Sequence, residues 1–150
     1  MILISHRGNT KGSNRKRENT PEYISEAMNL GYDVEVDVWF VKGSFWLGHD
    51  NPDVKIKESY LENKKLWCHA KNLPALEKML KNKKIHCFWH QEDDFQITSN
   101  GYIWTYPNKP LCQNSIAVLP TDLDSTLSVS IAGICLDDFS GLDIPGQDNV

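Results

Sequence analysis

Short apolar runs that end in polar or charged residues recur along the chain: ILISHRG, DVEVDVWF, SFWLGHD, KLWCHAK, KIHCFWHQ, GYIWTYP, SIAVLP and AGICLDD. Each has the length and composition of a strand whose carboxyl end carries reactive residue types. Two helices are predicted between them. The first takes Thr20 as N-cap and Pro21 as its first residue, sets Ile24, Ala27 and Met28 on one face and stops at Gly31. The second runs from about Leu73 to Lys83, with Leu76, Met79 and Leu80 as its apolar face and lysines in its last turn.

Strand, helix, strand in the first half implies parallel strands joined by right-handed crossovers. In the second half the runs KIHCFWHQ, GYIWTYP and SIAVLP lie too close together for full helices, so loops or single turns must join them. The SNG before YIW is open to a hairpin reading. The chain has 150 residues, enough for one domain with a core but short of the ~250 of a full eightfold β/α barrel. The expected fold class is α/β: a reduced or irregular TIM-type β/α barrel with mostly parallel strands, about seven in the barrel, and a ribbon inserted at SFWLGHD.

Within this pattern DVEVDVWF, residues 33 to 40, is the anomaly, because it carries acids at alternate positions. Side chains two apart in a strand share a face, so Glu35 and Asp37 stand side by side, about 6.6 Å apart along the strand. Val34, Val36 and Val38 fill the other face. Two like charges turned into a packed interior are costly, and a bound cation would relieve both.

Composition narrows the partners. The chain is 40% hydrophobic and 24% charged with a formal net charge of -4, which gives no reason to expect nucleic acid; the cluster KGSNRKR reads as a solvated loop that can attract an anionic substrate. The N-terminal apolar run is too short for a signal peptide or a membrane span, and no amphipathic membrane helix is evident. A cytoplasmic protein without stable membrane association is expected. Cys68, Cys87, Cys112 and Cys135 form no CxxC pair and are expected to be free thiols.

In parallel β/α architectures ligands sit at the carboxyl ends of the strands. Here those ends supply His6 and Arg7, Glu35 and Asp37, His49 and Asp50, and His69 and Lys71. Paired carboxylates suit a hard divalent cation such as Mg²⁺ or Ca²⁺, an Arg and a Lys suit a phosphate, and two separated histidines suit a general acid and a general base. Together they describe metal-assisted cleavage of a phosphodiester.

At these residues the chain resembles the glycerophosphodiester phosphodiesterase family, within the phosphatidylinositol phospholipase C-like superfamily. The resemblance rests on HRG at 6 to 8, ENT at 18 to 20, EVD at 35 to 37 and GHD at 48 to 50; it is strong through residue 71 and faint beyond. It implies that His6 and His49 are the acid/base pair, that Glu35 and Asp37 bind one divalent metal, and that Arg7 holds the phosphate, with Lys71 beside it. Relatives often proceed through attack by a neighbouring substrate hydroxyl. Two departures stand out. His69 occupies the place of a third acidic ligand, which brings in Mn²⁺ beside Mg²⁺ and Ca²⁺, and Arg17 replaces the usual Pro before ENT.

The expected activity is that of a phosphoric diester hydrolase acting on glycerophosphodiesters or similar small alcohol phosphodiesters. The alternative is a phosphodiester- and metal-binding module of the same fold with little or no turnover. A structural reading also exists, in which Glu35 and Asp37 simply pair with Arg7 and Lys71. Glu18 and Asp50 are expected to support Arg7 and His49. His90 is a candidate for the rim, and either Asp137 or Asp138, which face opposite ways, can approach the site.

Overall fold

The computed structural model describes residues 1–142. Along the chain run β1 (Ile2–His6), α1 (Pro21–Asn29), β2 (Asp33–Val41), β3 (Ser44–Leu47), β4 (Val54–Ile56), β5 (Leu66–Ala70), α2 (Leu73–Lys81), β6 (Cys87–Trp89), β7 (Phe95–Ile97), β8 (Ile103–Thr105), β9 (Ser115–Val118), α3 (Leu123–Leu127) and β10 (Gly133–Leu136). All ten strands belong to one sheet. Its main order is β6-β5-β2-β1-β10-β9-β8-β7, and the ribbon β3–β4 is built on the carboxyl-terminal part of β2.

This arrangement corrects the expectation of a reduced TIM-type barrel with mostly parallel strands. The sheet is mixed, because β2 runs straight into antiparallel β3 and β4, and because SNG makes β7 and β8 an antiparallel hairpin. Among the described residues there are only three short α-helices, of nine, nine and five residues. A β/α barrel needs a helix after each strand to cover the sheet's outer face. Among the described residues most strands are followed by no helix, and the sheet curls into a half-barrel instead.

The two longer helices form where they are predicted, the second ending at Lys81. The Thr20 side chain accepts the Tyr23 N–H and Pro21 occupies the first turn, while Asn72 caps α2 by accepting the Ala75 N–H. Ala75 and Met79 are buried under α2, but Leu80 is exposed, so the inward stripe is narrower than expected.

Alternation along β2 separates two layers. Val34, Val36 and Val38 lie fully buried on the outer face with Ile24, Ala27 and Met79 of the helices. The inner face carries an aromatic floor of Trp67, Phe88 and Trp104 with Ile4, Ile116 and Cys135. Phe88 of β6 and Trp104 of β8 pack with centroids 4.6 Å apart, which shows how far the sheet curls. The polar side chains of the site sit above this floor, at the carboxyl ends of the central strands.

Candidate metal centre and flanking histidines

Strand register assembles the site from residues far apart in sequence. His6 of β1 is aligned with Glu35 of β2, and Asp37 of β2 with His69 of β5. Aligned residues on neighbouring parallel strands point to the same face. The inner face therefore receives His6, Glu35, Asp37 and His69 as one cluster. A cleft of about 410 Å³ opens over it, lined on the charged side by His6, Arg7, Glu35, His49, His69 and Lys71, and opposite by Trp104, Tyr106 and Leu119.

The two carboxylates live in opposite environments. Asp37 is fully buried, yet its Oδ2 lies 3.0 Å from Arg7 Nε and accepts the Asn19 amide at 2.9 Å, while its Oδ1 lies 3.1 Å from His69 Nδ1 and 3.8 Å from Lys71 Nζ. Burial opposes its charge, but the His69 hydrogen bond and the Arg7, His69 and Lys71 charges hold its pKa well below the usual carboxylate range. Glu35 has no such support. Its Oε2 is buried without a hydrogen bond, and the ring nitrogens nearest its carboxyl are His69 Nδ1 at 3.7 Å and His6 Nε2 at 3.9 Å. Burial first, and the Asp37 charge second, push the Glu35 carboxyl up.

The chemistry of this donor set fits a divalent cation. One oxygen each of Glu35 and Asp37 and one ring nitrogen of His69 lie within 4.8 Å of one another, a span that bonds of about 2.1–2.5 Å can bridge. His69 Nε2 donates to the His90 carbonyl at 2.9 Å. Because a carbonyl only accepts, Nε2 must carry hydrogen, and Nδ1 faces the carboxylates either as a lone pair or as a second N–H. This is how a ligating histidine is commonly oriented. Asp37 also stands in ion pairs with Arg7, His69 and Lys71, so the cluster is electrostatically satisfied on one side and deficient on the other.

The two flanking histidines are placed unequally. His6 Nδ1 donates to Asp137 Oδ1 at 2.8 Å, leaving Nε2 turned toward Glu35. Burial works against a charged His6 ring, but the Asp137 hydrogen bond and the Glu35 charge overcome it and raise its pKa. His49 follows β3 at the tight Gly48 turn, where φ is +152° and a Cβ would overlap the Asn51 carbonyl. The Trp39 indole donates to the Gly48 carbonyl at 2.7 Å and braces the turn. His49 Nδ1 pairs with Asp50 Oδ1 at 2.8 Å, and both are largely in solvent.

Asp137 is thus the member of its pair that reaches the site. Asp138 is exposed and engages Ser140 instead. Glu18 does meet Arg7, at 3.4 Å, and also accepts Asn9 at 2.9 Å and Ser13 at 2.7 Å. Asn9 is not marked by the sequence, and Asn19, the middle residue of ENT, reads there as a residue that shapes the turn. Asn9 donates to both Glu18 and Asp137, and Asn19 clips Asp37 by donating to its carboxylate and accepting its backbone N–H at 2.9 Å. The sequence signal for Asn9 is its place directly after HRG and that for Asn19 its place inside ENT, but an Asn in a turn usually serves the turn alone. His90 lines the cleft and contributes its carbonyl to His69.

All four cysteines are free, three of them buried, and among the described residues no helix is long and apolar enough to cross a membrane. Comparison of the chain with family models, with curated proteins and with solved structures finds no match in any of the three.

Proposed function

We propose that the protein is a metal-dependent phosphoric diester hydrolase acting on glycerophosphodiesters or similar small alcohol phosphodiesters. The observation that carries the reading is Glu35: a buried carboxylate with an unpartnered oxygen, two residues from a second carboxylate and facing His69 Nδ1. A purely structural ion-pair network would not strand one of its members. The resemblance at HRG, EVD and GHD points the same way.

In this reading Glu35, Asp37 and His69 hold Mg²⁺, Ca²⁺ or Mn²⁺. The ion would draw charge from the phosphate and ease attack at phosphorus. Arg7 and Lys71, at the same cleft, neutralise the non-bridging oxygens. His6, with Nδ1–H committed to Asp137, has Nε2 available to take the proton of the attacking hydroxyl as the new P–O bond forms. His49, on the solvent side, gives a proton to the alcohol oxygen as the old P–O bond breaks. The attacking hydroxyl belongs either to water or to a neighbouring position on the substrate.

A binding module without turnover is the second reading. It is favoured by Asp37, which the Arg7 and Lys71 cations already face and whose Oδ1 also lies against His69, and by the exposure of His49. Turnover of glycerophosphocholine and bis(p-nitrophenyl) phosphate across Mg²⁺, Ca²⁺ and Mn²⁺ separates the two; no turnover with any metal rejects the enzyme. Thermal melting tests the metal site independently. Metal at about 100 times its Kd should raise Tm by roughly 5–10 °C, and Glu35→Gln should abolish the rise. An equal rise in that variant removes Glu35 from the site.

A further inference from the structure

A second cleft, of about 350 Å³, adjoins the first. The two share Arg7 and His49, so they are contiguous on the side of the site where His49 stands. The second cleft is walled by the loop that joins β1 to α1, and that loop carries three consecutive cations, Arg15, Lys16 and Arg17.

Those three are disposed in two ways. Arg17 is turned onto α1: its guanidinium makes a two-pronged pair with Glu26 at 2.6 and 2.9 Å and lies over the Tyr23 ring. Arg15 and Lys16 line the cleft and make no ion pair among the described residues. The acids around them are mostly committed. Of the acids that line the cleft, Glu18 accepts from Arg7, Asn9 and Ser13 and Asp50 is held by His49, while exposed Asp53 makes no ion pair among the described residues. Two free cations in a concavity that continues from a phosphodiester site favour a ligand with a further negative charge.

We propose that this cleft is a second anion subsite, and that the alcohol released by the enzyme carries a phosphate or carboxylate of its own, held by Arg15 and Lys16. The leaving alcohol is the half of the substrate concerned, because the second cleft opens beside His49, the group assigned to protonate that alcohol. The inference rests on the phosphodiesterase reading of the adjoining cleft. It goes beyond that reading by naming the substrate class: a diester bearing a second anionic group, as opposed to a neutral or cationic alcohol such as choline.

The test compares two diesters that differ only at the far end of the leaving alcohol, glycerophosphoglycerol and the same compound phosphorylated on its terminal hydroxyl. In the wild-type protein kcat/KM should favour the phosphorylated substrate by on the order of tenfold, the combined effect expected of two exposed cations. Arg15→Ala/Lys16→Ala should bring the ratio close to one. Lys83→Ala/Lys84→Ala removes the same charge at the amino-terminal end of β6 and should leave the ratio as in wild type. A wild-type ratio near one, or a ratio that survives loss of Arg15 and Lys16, overturns the proposal.

Titration calorimetry with propyl phosphate and 1,3-propanediol bisphosphate provides a readout that needs no turnover. The bisphosphate should bind on the order of tenfold tighter than the monophosphate in wild type and lose that advantage in the Arg15→Ala/Lys16→Ala variant. Equal affinities in wild type would reject the subsite. If neither diester is cleaved, the phosphodiesterase reading fails, and the calorimetric ratio alone decides whether the second anion site exists.

Discussion

The two histidine walls of the cleft use the same contact and are built differently. On one wall His6 Nδ1 meets Asp137 at 2.8 Å; on the other His49 Nδ1 meets Asp50 at 2.8 Å. The side chains of the first pair are 14% and 29% exposed, those of the second 42% and 84%. His6 and Asp137 are carried by β1 and the end of β10, adjacent parallel strands, and Asn9 donates to the same Asp137 oxygen, Oδ1, at 2.8 Å. His49 and Asp50 sit together on one loop. Equal distances therefore do not mean equal energies. A Coulombic contact gains several-fold when water is displaced from around it, and an exposed pair is worth at most about 1 kcal/mol. The inner wall is held in place by its packed partners, whereas the outer wall is free to adjust in solvent.

The largest effects expected are on catalysis, and they break the comparison at its centre. His6→Ala and His49→Ala should each cost on the order of 10²–10⁴ in rate on an alkyl diester while metal binding persists. An activated aryl ester needs no protonation of its leaving group. It should therefore rescue His49→Ala and leave His6→Ala slow. Rates on bis(p-nitrophenyl) phosphate and on an alkyl diester, measured side by side for both variants, check this. Equal rescue of both, or of neither, rejects the division of roles between the two walls.

A smaller effect should follow from the carboxylates behind each histidine. Asp137→Asn replaces the acceptor-only carboxylate that fixes the His6 tautomer with a neutral amide that can also donate, and should lower the rate by on the order of 10–100-fold, the range seen when such supporting hydrogen bonds are weakened. Asp50→Asn should change it by no more than about threefold, because its pair is solvated. A pH–rate profile separates positioning from simple damage. In Asp137→Asn the limb that reports His6 should move to lower pH, and a profile of unchanged shape would deny Asp137 its role.

That asymmetry also explains what was legible in the chain. Alternation in DVEVDVWF told which face Glu35 and Asp37 share, and strand ends marked His6, His49, His69 and Lys71 as neighbours in space. Periodicity reports direction, not depth, so His6 and His49 looked equivalent. Asp137 could be paired with His6 only once β10 was known to lie beside β1, a pairing across 131 positions that no local pattern encodes. Asn9 was hidden, and Asn19 within ENT read as a turn residue, because the role of both is to hydrogen-bond other site residues. The fold class went astray for a related reason. The β1–α1–β2 and β5–α2–β6 units do have the parallel rhythm read from sequence, but Val54–Ile56 and Phe95–Ile97 are three-residue strands, too short to declare a period. Those two segments, together with β3, make the sheet mixed.

The finest test of the two walls is the pH dependence of stability. His6 has a folded-state pKa raised above its ordinary value, with burial opposing and the Asp137 hydrogen bond and Glu35 charge prevailing; Asp137 is lowered, with burial again opposing and the His6 hydrogen bond and charge prevailing. A raised basic group contributes stability that is complete below its unfolded value of about 6.5 and is lost as pH rises through the folded value. A depressed acid contributes stability that is present above about 3.9 and is lost as pH falls through its folded value. The inner pair is therefore worth most between about pH 4 and 6.5, and less above. Asp137→Asn should lower Tm by a few degrees at pH 6 and by clearly less at pH 9. Asp50→Asn should shift Tm by about a degree or less at either pH, since its carboxylate is almost wholly in water. If the Tm difference between wild type and Asp137→Asn is the same at both pH values, the inner wall is not held by a charged pair, and burial alone accounts for its rigidity.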